Sequence, residues 1–232
     1  MRITDQPGYV LHSRRYRETS QILECLTQDH GIIPVIAKGA SRPRSEWHGI
    51  LRPFTRLQIT CMGRGDILTL TIAQADGSDF DLAGRDLYCG LYVNELTQRM
   101  LHRFDHHPGV FPAYEQVLKG IPDPASQQQS LRYYEKTLLK ELGYGLVLGE
   151  EAESGTPVRA GLQYRYVVEH GPYPVDAGYG MGVEITGESL LALADNRLSN
   201  ELQLKECRRL MRYVFEHYLN NRRLKSYDLL QG

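Results

Sequence analysis

The sequence predicts an α+β protein in which a small closed β-barrel precedes a helical domain. Residues 8–75 contain about five short apolar segments, joined mostly by tight turns. From residue 84 onward, apolar residues recur at helical spacing instead of alternating. A sheet of so few strands leaves two edges with unpaired backbone groups, and closing the sheet into a barrel removes both edges. The five-stranded OB (oligonucleotide/oligosaccharide-binding) barrel has this size.

The strand candidates lie between turn signals. The second candidate is largely apolar on both faces, with Glu24 as the exception, which a strand in a curved sheet tolerates. Turns are predicted at residues 29–31 and 64–66, because each contains a glycine that can adopt positive φ. The candidate strands are GYVLHSRRY, SQILECLTQ, IIPVIAKG, LRPFTRLQITCMG and ILTLTIAQAD.

Helices dominate the rest of the chain. A first helix from residue 84 carries Leu87, Leu91, Leu96 and Met100 at roughly helical spacing and ends before Pro108. Further helices are predicted at 110–119, 126–142, 187–195 and 199–220, with Gly143 as the C-terminal cap of the third.

Between the third and fourth helices, the sequence changes character. The acidic stretch 149–161 is typical of an exposed loop, and QYRYVVEHGPYPV is typical of a hairpin. The glycine-rich GYGMG is assigned to no element. The predicted domains are therefore an OB-fold at 1–80 and a helical domain at 81–232 with a hairpin-like insertion at about 150–185.

Composition excludes several classes of protein. The net charge is −1, so any attraction to nucleic acid must come from local patches. No apolar run is long enough to cross a bilayer, and the N-terminus lacks a signal peptide, so we expect a cytoplasmic protein. The four cysteines are scattered without C-x-x-C spacing, so we expect free thiols and no zinc or other cofactor.

Catalytic and metal motifs have little support. AKGAS lacks the frame of a phosphate loop, and no Gly-x-Ser-x-Gly elbow is present, so catalysis has no positive support from the motifs. His102 and His106 would share a helical face at i and i+4, but a third ligand is missing.

Two basic segments are more informative. Residues 34–56 contain five cations against Glu46, a local charge of +4, and residues 205–225 contain seven cations against two acids, or +5. One explanation involves no binding: the segments are a solvated helix face and a polar loop. A surface that follows phosphates, with Tyr16, Trp47 or Phe54 stacking on bases, is the functional alternative. The predicted DNA-binding residues are Lys38, Arg42, Arg44, Arg52, Arg56, Arg208, Arg209 and Arg212.

Several motifs in order along the chain resemble RecO recombination mediator proteins. They are Y-V-L-x-S-R-x-Y-x-E-x-S at 9–20, A-K-G-A-S-R at 37–42, G-I-L-R-P-F at 49–54, L-Y-x-x-L-Y-x-N-E-L at 87–96, L-x-E-L-G-Y-G at 139–145 and L-K-S at 224–226. The resemblance implies an OB-fold with a DNA-binding basic surface, on single- and double-stranded DNA. It implies a non-enzymatic role in DNA repair and recombination by the RecF pathway. There the protein would anneal complementary strands and load recombinase onto DNA coated by single-stranded DNA-binding protein.

The resemblance also implies two protein partners, RecR and the acidic C-terminal tail of the coating protein. For the tail, the third predicted helix offers a stripe of cations at i, i+4 and i+8 beside apolar residues. Arg132 is the expected main carboxylate contact, because a guanidinium binds carboxylate bidentately. The predicted peptide-binding residues are Arg132, Lys136, Lys140, Leu131, Leu139 and Leu142.

The chain departs from the family in one place. Many members carry a four-cysteine zinc module where this chain has residues 150–185, which contain no cysteine. Two other functions stay open at this point: an OB-fold module that binds structured RNA or ribosomes, and an enzyme whose site one sequence does not reveal.

Overall fold

The protein is described by a computed structural model over residues 1–175 and 180–229. The strands are β1 (Arg2–Tyr16), β2 (Ser20–Thr27), β3 (Gly31–Ala37), β4 (Thr55–Met62), β5 (Leu68–Asp79), β6 (Gln163–Val167), β7 (Gly171–Pro174) and β8 (Val183–Thr186). The helices are α1 (Gly84–Met100), α2 (Val110–Gly120), α3 (Gln127–Glu141), α4 (Gly187–Ala194), α5 (Glu201–Tyr218) and α6 (Ser226–Leu229). None of the helices in these ranges combines the length and hydropathy needed to cross a membrane.

The first five strands close into a barrel in the order β1-β2-β3-β5-β4, with β4 pairing back onto β1. The β3–β5 pairing is parallel, whereas the other four are antiparallel. Alternate residues such as Leu23, Cys25, Ile33 and Val35 fill the interior. The predicted OB-type barrel is therefore confirmed.

The outer face of the β2–β3 hairpin is covered by the segment that follows α1. Glu24, the polar exception in the strand pattern, is only 9% exposed and forms an ion pair with Arg103. The backbone N–H of Phe104 donates to the carbonyl of Ile32 at 2.9 Å. Gly31 lies so close to the Asp105 carbonyl that a Cβ atom would clash, so only glycine fits at this turn. The segment after α1 therefore contacts this part of the barrel wall and forms with it a pocket of about 460 Å³, which is lined by Glu24, Ile32, Gln98, Leu101, His102 and Arg103.

Asn94 of α1 is buried and satisfies an irregularity in the barrel. The β1–β2 register shifts between Val10 and His12, and a bulge of this kind leaves a backbone group without a ladder partner. The Asn94 side chain donates to the Leu11 carbonyl at 3.1 Å and accepts from the hydroxyl of Tyr114 at 2.6 Å. One carboxamide therefore joins β1, α1 and α2.

Glu95, the next residue, anchors the segment around α6. Its carboxylate accepts the backbone N–H of Lys225 at 3.0 Å and both the N–H and the hydroxyl of Ser226 at 2.8 Å. Burial alone would raise the pKa of the Glu95 carboxyl, but these hydrogen bonds and the nearby Arg99 lower it. Two of the sequence motifs, N-E-L and L-K-S, thus meet in space, with Leu224 fully buried beside them.

The chain divides into two compact units that differ from the predicted domains. Unit 1 contains Met1–Pro122 and Leu224–Gly232, and unit 2 contains Asp123–Arg223. The division at residue 80 into an OB-fold and a helical domain remains a prediction about independent folding. Of the unassigned GYGMG segment, residues 178 and 179 lie outside the described residues.

Unit 2 combines α3, α4 and α5 with a three-stranded sheet in the order β7-β6-β8. The predicted hairpin is β6 and β7, and β8 pairs with the other edge of β6. Glu206 of α5 accepts from the Thr186 hydroxyl at 2.7 Å and the Ser189 hydroxyl at 2.6 Å. Because Thr186 also caps α4, this buried carboxylate fixes the junction of β8, α4 and α5.

We predict that Asn94→Leu lowers the free energy of unfolding by about 2 to 4 kcal/mol, because it leaves the Leu11 carbonyl and the Tyr114 hydroxyl buried without their partner. Urea unfolding followed by circular dichroism measures the effect. Adding Tyr114→Phe in the Asn94→Leu background should cost less than Tyr114→Phe costs alone. Purely additive effects would show that the carboxamide is not the shared partner.

We also predict that the stabilising effect of Glu95 depends on pH. Its pKa is lower in the folded protein than the ordinary 4.5, so its contribution is present above that value and is lost as pH falls through the folded value. The stability difference between wild type and Glu95→Gln should therefore be largest near neutral pH and shrink below 4.5. A difference that is constant across this range would contradict the anchor.

Candidate nucleic-acid interface

The basic loop between β3 and β4 is anchored to the barrel. Residues 38–54 form a series of turns, and Gly39 and Gly49 adopt positive φ of 79° and 81° there. Trp47 is only 8% exposed and packs onto the barrel core. Because its apolar residues hold the loop in place, its cations project from a defined surface.

The structure separates the five cations of this segment into two groups. Lys38, Arg42 and Arg44 are exposed, and they form no ion pair within residues 1–175 and 180–229. Arg52 pairs with Asp79. Arg56 pairs with Asp76 and, at 2.8 Å, with Glu115. Only the first three therefore keep an uncompensated charge, and DNA binding by any of the five stays a prediction.

Two of the uncompensated cations line a pocket of about 330 Å³ at the open end of the β2–β3 hairpin. A backbone hydrogen bond of 3.0 Å from Ser41 to the Thr19 carbonyl holds the basic loop against the β1–β2 turn. The lining includes three cations, two hydroxyl groups and no carboxylate, which suits an oxyanion such as phosphate. Its residues are Arg17, Thr19, Ser20, Ile36, Lys38, Gly39 and Arg42.

The sequence interpretation missed the arginines at the end of β1. Arg14, Arg15 and Arg17 are all exposed, and Arg17 lines the pocket. They belong to the run SRRYRE, which covers the end of β1 and the start of the β1–β2 turn. Counting charge from residue 34 excluded them, although antiparallel pairing of β1 with β2 places them beside the end of β3. Including the β1–β2 turn in the charge count would have identified them.

Of the three aromatic residues considered for stacking, two are buried. Trp47 is 8% and Phe54 is 4% exposed, so neither presents a ring face to solvent. Tyr16 is partly exposed at the end of β1, and the guanidinium carbon of Arg17 lies 5.2 Å from the centre of its ring.

The second basic segment lies on α5, in unit 2. Arg208, Arg209 and Arg212 are all exposed. Arg209 donates to the Glu184 carbonyl, and Arg212 pairs with Glu216 at 2.9 Å. Arg208 has no ion pair among the described residues, so α5 offers fewer uncompensated charges than its sequence indicates.

The expected basic stripe on α3 needs correction. Arg132 is 4% exposed and forms an ion pair with Glu135, which is fully buried. Leu131 and Leu139 are also buried, at 3% and 0% exposure. Each of these buried charges needs the other as its partner inside unit 2, because either one alone would carry a large desolvation cost. Arg132 is therefore not an exposed carboxylate contact.

The other two cations of the stripe, Lys136 and Lys140, differ in exposure and in hydrogen bonding. The Lys136 ammonium donates to the carbonyls of Leu193 and Ala194 at 2.7 Å each, at the C-terminus of α4. Burial lowers its pKa. Lys140 is exposed, and Leu142 is partly exposed. Peptide binding at this helix therefore stays a prediction, with Lys140 as its accessible cation.

Gly143 ends α3 as predicted, with φ of 81°. Its N–H donates to the Lys140 carbonyl at 3.1 Å, and the N–H of Tyr144 donates to the Leu139 carbonyl at 2.8 Å, the pattern of a Schellman motif. Tyr144 is exposed, and its ring stacks on Tyr218 with centroids 4.2 Å apart. The turn is thus followed by an exposed aromatic residue, four positions after Lys140 in the sequence.

The described residues contain no cluster of three or more side chains suited to a metal ion. His102 and His106 do not share a helical face, because α1 ends at Met100. The four cysteines are buried and unpaired with one another, and burial raises the pKa of Cys61 to about 12. Such a thiol stays protonated at neutral pH and is a poor nucleophile or ligand.

Comparison with known proteins agrees with these features. Residues 1–77 match the family model "Recombination protein O N terminal", and residues 82–228 match "Recombination protein O C terminal". A DNA repair protein RecO of Nitrosococcus oceani is 40% identical over 231 residues, which cover 100% of this chain and 94% of that protein. The RecO protein of Methylococcus capsulatus is 41% identical over 97% of this chain and 92% of its own length.

A third relative, the RecO protein of Nitrosospira multiformis, is 38% identical over 97% of this chain and 94% of its length. The two family models together leave only a few residues unmatched, and the first of them covers the closed barrel. The chain therefore belongs to the recombination protein O (RecO) family.

Proposed function

We propose that this protein is a non-enzymatic, DNA-binding recombination mediator that acts in DNA repair. The single observation that carries the proposal is the cluster of Arg17, Lys38 and Arg42 around a pocket without a carboxylate. Because phosphate contacts dominate nucleic-acid affinity, a cluster of this kind binds a DNA backbone even though the net charge of the chain is −1.

In this proposal DNA binds the OB surface at the open end of the β2–β3 hairpin, where the basic pocket lies. OB-folds bind oligonucleotides on the face of strands 2 and 3 and on the adjacent loops. Here the segment after α1 covers the other end of that face, where Arg103 pairs with Glu24. We expect DNA at the β1–β2 turn and the basic loop, because the pocket there is lined by three cations and no carboxylate, whereas Glu24 lines the pocket beside Arg103.

The finer mechanism in this proposal is strand annealing and recombinase loading in the RecF pathway. Each unit carries a basic surface, on the barrel in unit 1 and on α5 in unit 2. Two surfaces that neutralise phosphates can hold two complementary strands and reduce their mutual repulsion. The protein would act in the cytoplasm at the nucleoid, together with RecR and the single-stranded DNA-binding protein.

Exchanging Lys38, Arg42 and Arg44 together for alanine should weaken binding to single-stranded DNA and flatten its salt dependence. Each lost phosphate contact reduces the log–log slope by about 0.7, so the triple variant should lose roughly 2. Fluorescence anisotropy across a salt series measures both quantities, and a strand-annealing assay on complementary oligonucleotides should slow in parallel.

Arg52→Ala is the matched control, because it removes a cation of the same loop that already pairs with Asp79. It should leave the salt slope near the wild-type value. If the triple variant folds and retains wild-type affinity and slope, DNA does not bind at this surface and the proposal is wrong.

We further propose that the acidic tail of the coating protein binds unit 2 at the C-terminal end of α3. Lys140 provides a cation, and the exposed Tyr144 and Val147 provide an apolar surface for an aromatic residue of the tail. Arg132 and Glu135 support this surface from inside the unit.

Lys140→Ala should weaken binding of a labelled acidic tail peptide by roughly 2- to 5-fold, as expected for the loss of one exposed ion pair. Lys205→Ala, which removes another exposed lysine of unit 2, should leave the affinity unchanged. Arg132→Ala is unsuitable as a probe, since it leaves Glu135 buried without its ion-pair partner. Equal affinities for wild type and Lys140→Ala would place the tail elsewhere.

A further inference from the structure

The β1–β2 turn has an unusual backbone conformation at Arg17. Its φ is 54°, in the left-handed region that residues other than glycine seldom adopt. Tyr16 and Ser20 form the last pair of the hairpin, so Arg17 is the first residue of the turn. Its guanidinium lies over the ring of Tyr16, 5.2 Å from the ring centre. The turn thus presents a stacked pair formed by an aromatic ring and a planar cation.

This stacked pair adjoins the phosphate-binding pocket. Arg17 is itself one of the pocket residues, together with Lys38 and Arg42 from the far side of the β2–β3 hairpin. The pocket volume of about 330 Å³ is at the lower end of the range for small-ligand sites and exceeds what a phosphate group alone fills. A cluster of cations with an adjoining aromatic ring matches the two chemical parts of a nucleotide, its phosphate and its base.

We propose that Tyr16 and Arg17 form a stacking platform for one unpaired nucleobase, while Lys38 and Arg42 bind the adjoining phosphates. The inference rests on the proposed function, and it identifies the part of DNA that this pocket recognises. Bases stack on aromatic rings and on guanidinium planes regardless of sequence, so the platform accepts any base.

The platform predicts tighter binding of single strands than of duplexes. A base in a duplex is stacked on both faces by its neighbours, so it cannot reach the ring without being unstacked at a cost of a few kcal/mol. Cations alone bind the phosphates of single and double strands alike. A stacking residue beside them adds affinity only where a base is free.

Abasic DNA distinguishes base stacking from phosphate binding, because it keeps the phosphates and lacks the bases. The affinities of a short oligothymidylate and of an abasic oligomer with the same number of phosphates are measured across a salt series for each variant. Wild type should bind the oligothymidylate more tightly. Tyr16→Ala should weaken that binding by roughly 5- to 100-fold and remove the preference, with the salt slope unchanged.

Three variants make the test specific. Tyr16→Phe keeps the ring and should retain the preference for bases. Arg17→Lys keeps the charge without the planar group, so it should lower the preference at a constant salt slope, and it carries the test if Tyr16→Ala fails to fold. Tyr88→Ala removes a different exposed aromatic side chain of unit 1, 38% exposed on α1, and should behave as wild type.

The outcomes distinguish this inference from the proposed function. If Tyr16→Ala and Arg17→Lys both keep the full preference for bases while Lys38→Ala and Arg42→Ala weaken both oligomers, the platform is refuted and the DNA-binding surface stands. If Lys38→Ala and Arg42→Ala change neither affinity nor slope, the surface itself is refuted and the platform with it.

Discussion

Two adjacent polar side chains of α1 hold unit 1 together. Asn94 joins a bulged carbonyl of β1 to the Tyr114 hydroxyl of α2, and Glu95 binds the backbone ahead of α6. Buried polar groups that are fully hydrogen-bonded specify one arrangement, because any alternative leaves some of them unsatisfied. This arrangement fixes α1 against β1, and the segment after α1 contacts Glu24 of β2 and Ile32 of β3. The basic pocket lies at the opposite end of the hairpin.

Unit 2 uses buried charge in a different way. Its Arg132–Glu135 pair and the Glu206 carboxylate lie in the interior, and each charged group has a partner on the same helix or a neighbouring element. Such groups add little net stability compared with apolar residues, but removing one partner is costly. Substitutions in this unit must therefore distinguish a lost binding contact from a disturbed interior. Exposed residues such as Lys140 and Arg208 avoid this ambiguity.

The helices and strands were predictable from the sequence because their periodicity is strong. Whether an individual cation is exposed and free of a neighbouring carboxylate was not predictable. The helix predicted at 126–142 is α3, at Gln127–Glu141, and its cap at Gly143 is confirmed. The local excess of cations at 34–56 was visible, but their neutralisation depends on carboxylates such as Glu115, which lies 59 residues from Arg56 along the chain. On α3, cations spaced four apart suggested an exposed stripe. Arg132, Glu135 and Leu139 also lie at i, i+3 and i+7, which puts Arg132 on the buried face.

The return of the chain to unit 1 after unit 2 has a consequence for synthesis on the ribosome. Residues 224–229 complete unit 1, but they are translated only after the 101 residues of Asp123–Arg223. At typical elongation rates this separation corresponds to a delay of roughly 5 to 20 s, during which Glu95 has no backbone from this segment to bind. The nascent barrel, α1 and α2 therefore lack the C-terminal segment of unit 1 while unit 2 emerges from the ribosome. A chain that terminates inside unit 2 leaves that surface of α1 uncovered, where chaperones and proteases can recognise it.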